Sequence, residues 1–291
     1  MLPAAALFVA GTLAALPCEG ALVLWRGASV SFAEALTSQT ITFGALANQT
    51  YGAAAVIVSA TASSGLPVAF ASLTPAVCTV NGNAITLAAA GTCTIQASQA
   101  GDATYAVAAS VNQTFTIAKA TQTIAFAALS ARTYGDPPFT VSATASSGLA
   151  VTFSSSTTTI CTVNSSTVTM IAGGTCTIKA SQPGNANYAA ATAVSQSFSV
   201  AKLSQTISFA GLASKIYGDP PLAISATASS GLAVAFSSLT TTVCTVSGTT
   251  VTIKTGGTCT IQAAQAGNAI YSAAPNVSQS FSVAKIDQSI T

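Results

Sequence analysis

The strongest constraint on this chain of 291 residues is an internal repeat with a period of 83 residues. Cys78, Cys161 and Cys244 follow one another at this interval, and other shared positions keep the same step without a gap. Self-similarity at a fixed period predicts tandem copies of one unit. The predicted segments are an N-terminal apolar leader at 1–37, repeat 1 at 38–120, repeat 2 at 121–203, repeat 3 at 204–286, and the start of a truncated fourth repeat at 287–291.

Each repeat has apolar residues at every second position, which predicts β-strands. In repeat 2, Ile124 and Phe126 alternate with small residues, and Val168 and Met170 alternate with Thr. Such runs, rich in Val, Ile, Thr and Phe and interrupted by turns about every 8–12 residues, are typical of antiparallel sandwiches. We therefore predict an all-β chain of tandem immunoglobulin-like antiparallel β-sandwiches, with about seven strands in each.

Charged residues are scarce, and this excludes several classes of function. They make up 5% of the chain, against about 25% in an average soluble protein. The formal net charge is +2 and there is no His. The chain therefore lacks the groups for Ser-His-Asp or Cys-His catalysis and for His-ligated metals, and its many Ser and Thr have no base to activate them. We predict no enzyme activity, no cofactor, no metal site and no nucleic-acid partner.

Six of the seven cysteines form three pairs, and the two members of each pair are 15 residues apart. In repeat 2, Cys161 and Cys176 lie in the inward phase of their strands. Pairing within each repeat is the simplest connectivity, although spacing alone leaves buried free thiols as an alternative. Two thiols without His or nearby carboxylates cannot complete a tetrahedral zinc site. The predicted disulfides, which favour an exported protein, are Cys78–Cys93, Cys161–Cys176 and Cys244–Cys259.

The segment before the repeats also bears on whether the protein is exported. Residues 2–17 are apolar enough for the core of a signal peptide, and 31–33 (Ser-Phe-Ala) offer a cleavage site. No Lys or Arg precedes this stretch, and Cys18-Glu19 separates it from a second apolar patch, so a retained anchor or a misassigned start are alternatives. We expect a secreted or cell-surface protein, with membrane attachment only through this segment.

Two turns recur in the repeats. Tyr134-Gly135-Asp136 returns in repeat 3, whereas repeat 1 has Ala53 in place of the acid. A calcium ion needs six to eight oxygen ligands, so one acid per repeat favours a turn whose carboxylate accepts hydrogen bonds from backbone N–H groups. The second turn has Asp or Asn at one position, followed by a tyrosine at a sandwich corner. The residues assigned to structural turn roles are Tyr51, Tyr134, Asp136, Tyr217 and Asp219 in the first turn and Tyr105, Tyr188 and Tyr271 in the second.

The succession SQTI-F, TYGDPP, SATASSGL, GTCTI and SQSFSVAK over residues 38–286 resembles the bacterial immunoglobulin-like repeats of large secreted and surface proteins, in particular the group with a Tyr-Gly-Asp signature. The resemblance implies β-sandwich stalks that project a binding domain, or adhere directly, at bacterial surfaces. It implies no catalytic activity and no defined ligand.

The junctions between repeats contain almost no linker, which favours a rod on the order of 100 Å long. Lys119, Lys202 and Lys285 recur there and are expected to be solvated. The predicted function is a non-catalytic structural stalk or adhesive repeat segment, whose partners are neighbouring repeats in a longer array and an unknown surface or matrix ligand. The alternative is a carbohydrate- or protein-binding module that uses loops at one end of the sandwich.

Overall fold

The computed structural model of the chain describes residues 35–286, and every regular element in that range is a β-strand. The predicted signal-peptide core, cleavage site and Cys18 lie outside the described residues, as does the predicted fourth-repeat start at 287–291. The all-β prediction is confirmed. The chain divides into two compact units between Lys119 and Ala120, and each unit is described by itself.

The described part of the first unit, residues 35–119, contains nine short strands. These are β1 (Ile41–Phe43), β2 (Gln49–Thr50), β3 (Val56–Ile57), β4 (Ala60–Ala62), β5 (Ala69–Ser72), β6 (Cys78–Asn81), β7 (Ala84–Leu87), β8 (Gly91–Ser98) and β9 (Val111–Ala118).

Residues 120–286 of the second unit contain two further sets of nine strands, each in the same order. The first set is β10 (Ile124–Phe126), β11 (Arg132–Thr133), β12 (Phe139–Thr140), β13 (Ala143–Ala145), β14 (Thr152–Ser155), β15 (Cys161–Asn164), β16 (Thr167–Met170), β17 (Gly174–Ser181) and β18 (Val194–Ala201). The second set is β19 (Ile207–Phe209), β20 (Lys215–Ile216), β21 (Leu222–Ala223), β22 (Ala226–Ala228), β23 (Ala235–Ser238), β24 (Cys244–Ser247), β25 (Thr250–Ile253), β26 (Gly257–Ala264) and β27 (Val277–Ala284).

The strands of each set form two facing groups, as repeat 2 illustrates. One is a four-stranded sheet in the order β11-β18-β17-β14, and the other consists of the sheet β12-β16-β15 and the pair β10-β13. All pairs are antiparallel except β11 with β18. The first strand crosses from one group to the other between β10 and β11, so its second part runs beside the last strand in the same direction. The expected seven strand positions thus become nine segments, because the first two strands are each divided.

The core of repeat 2 lies between these sheets, where the inward phase of each strand meets. Val168 and Ile178 are fully buried, and Phe198 packs edge-on against Phe139 with ring centroids 5.5 Å apart. The alternating burial along β17 and β18 follows from the period of two in a pleated strand. The described parts of repeats 1 and 3 have equivalent cores.

A disulfide joins the two sheets inside each core. In repeat 2 the bond connects Cys161 on β15 with Cys176 on β17, and both residues are 0% exposed. Repeats 1 and 3 have the corresponding bonds, Cys78–Cys93 and Cys244–Cys259. Each bond closes a loop of 15 residues, which limits the conformational freedom of the unfolded chain.

Replacing Cys161 and Cys176 together by Ala is expected to lower the free energy of unfolding of repeat 2 by about 3 kcal/mol, because the loop-closure contribution of the bond is lost. The measurement is native-state hydrogen exchange at the amide of Ile178. The amide of Ile261, at the same position in repeat 3, is the internal control. Equal changes at both amides would contradict a local effect of the bond.

Candidate functional site

The loop before the last strand of each repeat forms a tight turn, which we call the Asx turn. In repeat 3, the side-chain oxygen Oδ1 of Asn268 accepts hydrogen bonds from the backbone N–H groups of Ile270 and Tyr271, both at 2.8 Å. Gly267 enters this turn with φ +77°, and a Cβ there would lie 2.3 Å from the Tyr271 carbonyl oxygen. The turn therefore requires glycine at this position.

The same turn occurs in the other two repeats with either an acid or an amide. Asp102 Oδ1 accepts from the N–H groups of Thr104 and Tyr105 at 2.8 Å, and Asn185 does so in repeat 2. The N–H groups of Tyr105 and Thr104 stabilise the ionised carboxylate and hold the pKa of Asp102 below its ordinary value of 3.8.

A buried glutamine stabilises the Asx turn through hydrogen bonds. Gln205 is 3% exposed, and its Nε2 donates to Gln265 Oε1 at 2.8 Å and to the Ser272 carbonyl at 2.6 Å. Its Oε1 accepts from the Ser230 hydroxyl, and Gln265 Oε1 also accepts from the N–H of Gly267. A buried amide must have such partners, because an unpaired one costs about 1–3 kcal/mol. The equivalent pairs are Gln39 with Gln99 and Gln122 with Gln182.

This glutamine cluster was not predicted from the sequence, although the sequence contains a signal for it. Gln39 precedes Ile41 and Phe43 by two and four residues, so it lies in the inward phase of the first strand. The 83-residue period repeats this arrangement at Gln122 and Gln205. A polar residue that recurs in an inward phase indicates a satisfied buried hydrogen-bond network.

The residue that precedes each repeat is held by the Asx turn of that repeat. Leu203 donates its N–H to the Ile270 carbonyl and accepts from the N–H of Ser272, both at 2.9 Å. Thr37 makes the corresponding bonds in the first unit, and Ala120 makes them at the start of the second. These bonds give the isolated bridges to the three corner tyrosines, which pair Thr37 with Tyr105, Ala120 with Tyr188, and Leu203 with Tyr271.

In the second unit, the Asx turn of repeat 3 is a junction with repeat 2. Three successive carbonyl groups of the turn accept hydrogen bonds from three donors at the end of repeat 2. The pairs are Asn268 O with Lys202 Nζ at 2.6 Å, Ala269 O with the Gly173 N–H at 2.8 Å, and Ile270 O with the Leu203 N–H at 2.9 Å.

Lys202 is exposed, in agreement with its predicted place as a solvated junction charge, and its ammonium group also donates across the junction. Its aliphatic stem lies over Gly173, where a Cβ would be 2.3 Å from Lys202 Cγ. Glycine therefore lets the lysine approach the turn of the next repeat. The sequence gives no sign of this contact within one repeat, because 66 residues separate Lys202 from Asn268.

The Tyr-Gly-Asp turn lies at the end of repeats 2 and 3 that also carries the recurrent lysine. Asp136 Oδ2 accepts from the Thr133 N–H at 2.9 Å, and Asp219 makes the same bond to Ile216 at 3.0 Å. Repeat 1 forms the backbone turn without the acid, since the N–H of Ala53 donates to the Thr50 carbonyl at 3.0 Å.

The tyrosines of this turn differ in burial. Tyr51 and Tyr134 are half-buried and pack against the cores of repeats 1 and 2. Tyr217 in repeat 3 is 47% exposed. The tyrosine of this turn is therefore more exposed in repeat 3 than in repeats 1 and 2.

No cluster of metal-binding side chains occurs among residues 35–286. These residues contain no group of three or more His, Cys, Asp or Glu that could hold a metal ion. A groove of about 560 Å³ beside β10 and β13 has no ionisable side chain in its lining. Within the same range, no helix has the length and apolar character needed to span a membrane.

Comparisons with known proteins give no family. No family model matches the chain, and no curated protein matches it. Solved structures that resemble it include Drosophila N-cadherin EC1-3 (11% identity, covering 87% of this chain and 99% of that one, TM-score 0.31) and the human desmocollin-1 ectodomain (8%, 87% and 61%, TM-score 0.30). Domains 1–6 of the surface layer protein SbsC show 15% identity over 86% of this chain and 40% of that one, with a TM-score of 0.25. TM-scores this low do not establish a shared fold, so the fold class rests on the sheets described above.

The Asx turn of repeat 1 is expected to loosen in acid. The pKa of Asp102 is lowered by folding, so its stabilising contribution is present above the unfolded pKa and is lost as the pH falls through the lowered value. The measurement is the NMR shift of the Thr104 and Tyr105 amides from about pH 6 to about pH 2. The variant Asp102→Asn keeps the acceptor without a titrating group, and an identical response in it would contradict this origin.

The junction in the second unit is expected to weaken in Lys202→Met, which keeps most of the stem but removes the donor to Asn268 O. A lost hydrogen bond of about 1 kcal/mol should make the amide of Gly173 exchange roughly fivefold faster. Lys285→Met, the same change at the end of repeat 3, is the matched control and should leave Gly173 unaffected. Faster exchange of Gly173 in both variants would refute the assignment.

Proposed function

We propose that this chain is a non-catalytic structural or adhesive repeat segment of a secreted or cell-surface bacterial protein. The observation that carries the proposal is the junction of the second unit, where three successive carbonyls of one repeat accept hydrogen bonds from the preceding repeat. Only residues 202–206 separate β18 from β19. A junction of this kind restricts hinge motion, as a load-bearing or spacing segment requires.

The disulfides support both a mechanical role and an extracellular location. Each bond links the two sheets inside a core and keeps a 15-residue loop from extending under load. Disulfides persist in oxidising compartments, so they favour export. The bacterial origin is proposed from the resemblance of the repeat motifs.

The roles of the acids support a non-catalytic function. The carboxylates among residues 35–286 are Asp102, Asp136 and Asp219, and each accepts backbone N–H groups in a turn. The chain also lacks His, the residue that most often acts as a general base.

The alternative function, carbohydrate or protein binding by loops at one sandwich end, is less well supported. The Asx turn is among the loops that such a module would present. In repeat 3 its carbonyls already bind the end of repeat 2. We therefore favour the role in which these loops join neighbouring repeats, and keep ligand binding as the outcome to be tested against it.

Pulling the full chain in a single-molecule experiment is expected to give discrete unfolding steps, one for each disulfide-closed repeat. Reduction should lengthen each step by about 50 Å, because 15 more residues extend by up to about 3.6 Å each. Unfolding without discrete steps at low force would contradict a load-bearing role.

A binding assay on glycan and matrix-protein arrays separates the two functions. A structural segment should show no saturable binding beyond that of a heat-denatured control. Saturable binding that Asn185→Ala abolishes would favour the alternative, because that change removes the acceptor that shapes one Asx turn.

A further inference from the structure

One end of repeat 3 exposes a surface whose equivalent in repeat 2 is covered by the neighbouring repeat. We call it the end face, and it encloses a cleft of about 370 Å³. Ile286 is 59% exposed and Tyr217 is 47% exposed, and both side chains line this cleft. The residues of the end face are Tyr217, Thr255, Gly256, Lys285 and Ile286.

The equivalent residues of repeat 2 are more buried at every position except the lysine. Ala172 is 4% exposed and Gly173 is buried, whereas Thr255 is exposed and Gly256 is half-buried. Leu203 and Tyr134 are half-buried, whereas Ile286 and Tyr217 are exposed. Repeat 2 has its end in contact with the Asx turn of repeat 3, and this contact distinguishes the two positions.

The end face also has the donor groups that bind the turn in repeat 2. The N–H groups of Gly256 and Ile286 and the ammonium group of Lys285 stand at the positions of Gly173, Leu203 and Lys202. The stem of Lys285 lies over Gly256 in the same manner, since a Cβ on that glycine would be 2.7 Å from Lys285 Cγ. The stem of Lys285 is thus held beside the glycine before any partner arrives, which reduces the ordering that binding requires.

We propose that the end face of repeat 3 is a docking surface for the Asx turn of a further copy of this repeat. The inference rests on the proposed function and names the partner that a structural array would place there. The occupant supplies three successive backbone carbonyls and covers Tyr217 and Ile286. The three Asx turns of this chain share Gly, Asp or Asn, Ala and Tyr and differ at the fourth residue, so recognition through backbone carbonyls suits every copy.

The test uses an extended chain in which one more copy of residues 204–286 is joined directly after Ile286 in place of residues 287–291. The covalent connection supplies a high effective concentration. Amide exchange at Gly256 and Ile286 is measured in the original and the extended chain. We expect exchange at both positions to become at least about tenfold slower in the extended chain, as for amides that gain a stable hydrogen bond.

The matched control is an extended chain whose added copy carries Ala at the position of Asn268. Its turn lacks the side-chain acceptor, so much of the protection at Gly256 and Ile286 should be lost while the added copy stays folded. Unchanged exchange at these amides, despite protection of the added copy's equivalent of Ile261, would overturn the proposal.

The same data separate this proposal from the proposed function. The amides of Gly173 and Leu203 report on the existing junction. Rapid exchange there would overturn the restricted junction itself. Slow exchange there, with unchanged exchange at Gly256 and Ile286, would overturn only the docking surface.

Discussion

The buried side-chain amide of Gln205, with its equivalents Gln39 and Gln122, is the constraint on which the rest of each repeat depends. An amide removed from water is stable only if its donors and acceptor all find partners. Gln205 finds them in Gln265, Ser230 and the Ser272 carbonyl, which are distant in sequence. The segment that carries Gln205, the turn that carries Ser230 and the Asx turn must therefore form together. The geometry of the junction follows from this network, because it fixes the turn whose carbonyls face the preceding repeat.

The small core explains why a disulfide accompanies this network. An 83-residue sandwich buries a modest fraction of its surface, and its fully buried side chains are mainly Ile, Val and Cys. The disulfide joins the sheets at 0% exposure and reduces the entropy gained on unfolding. The polar surface of Ser and Thr then suffices to keep the strands hydrated, and few charges are needed.

Local patterns in the sequence predicted the features that depend on residues close together in the chain. The period of two gave the inward phases of strands such as β17, where Cys176 and Ile178 are buried, and the acid or amide at Asp102 and Asn268 indicated turns. The glutamine network and the bond from Lys202 to Asn268 were not predicted. The partners of Gln205 are 25 to 67 residues away and Lys202 lies 66 residues from Asn268, and no short-range period connects such positions. The parallel pairing of β11 with β18 was also missed, because a strand that changes sheets has no signature in alternation alone.

The junction has a direction, because its two sides carry different chemistry. One end of a repeat presents carbonyl groups in the Asx turn, and the other presents N–H groups and a lysine. Two identical ends cannot satisfy each other, since acceptors would face acceptors. A contact between two different ends is heterologous. Each copy that is added through such a contact brings another end to which a further copy can bind. Because the contact is made largely by backbone groups, it does not depend on the side chain of Ile270. A repeat built in this way can therefore change many side chains and still join its neighbour, provided that the glutamine, the glycine of the turn and the lysine are kept.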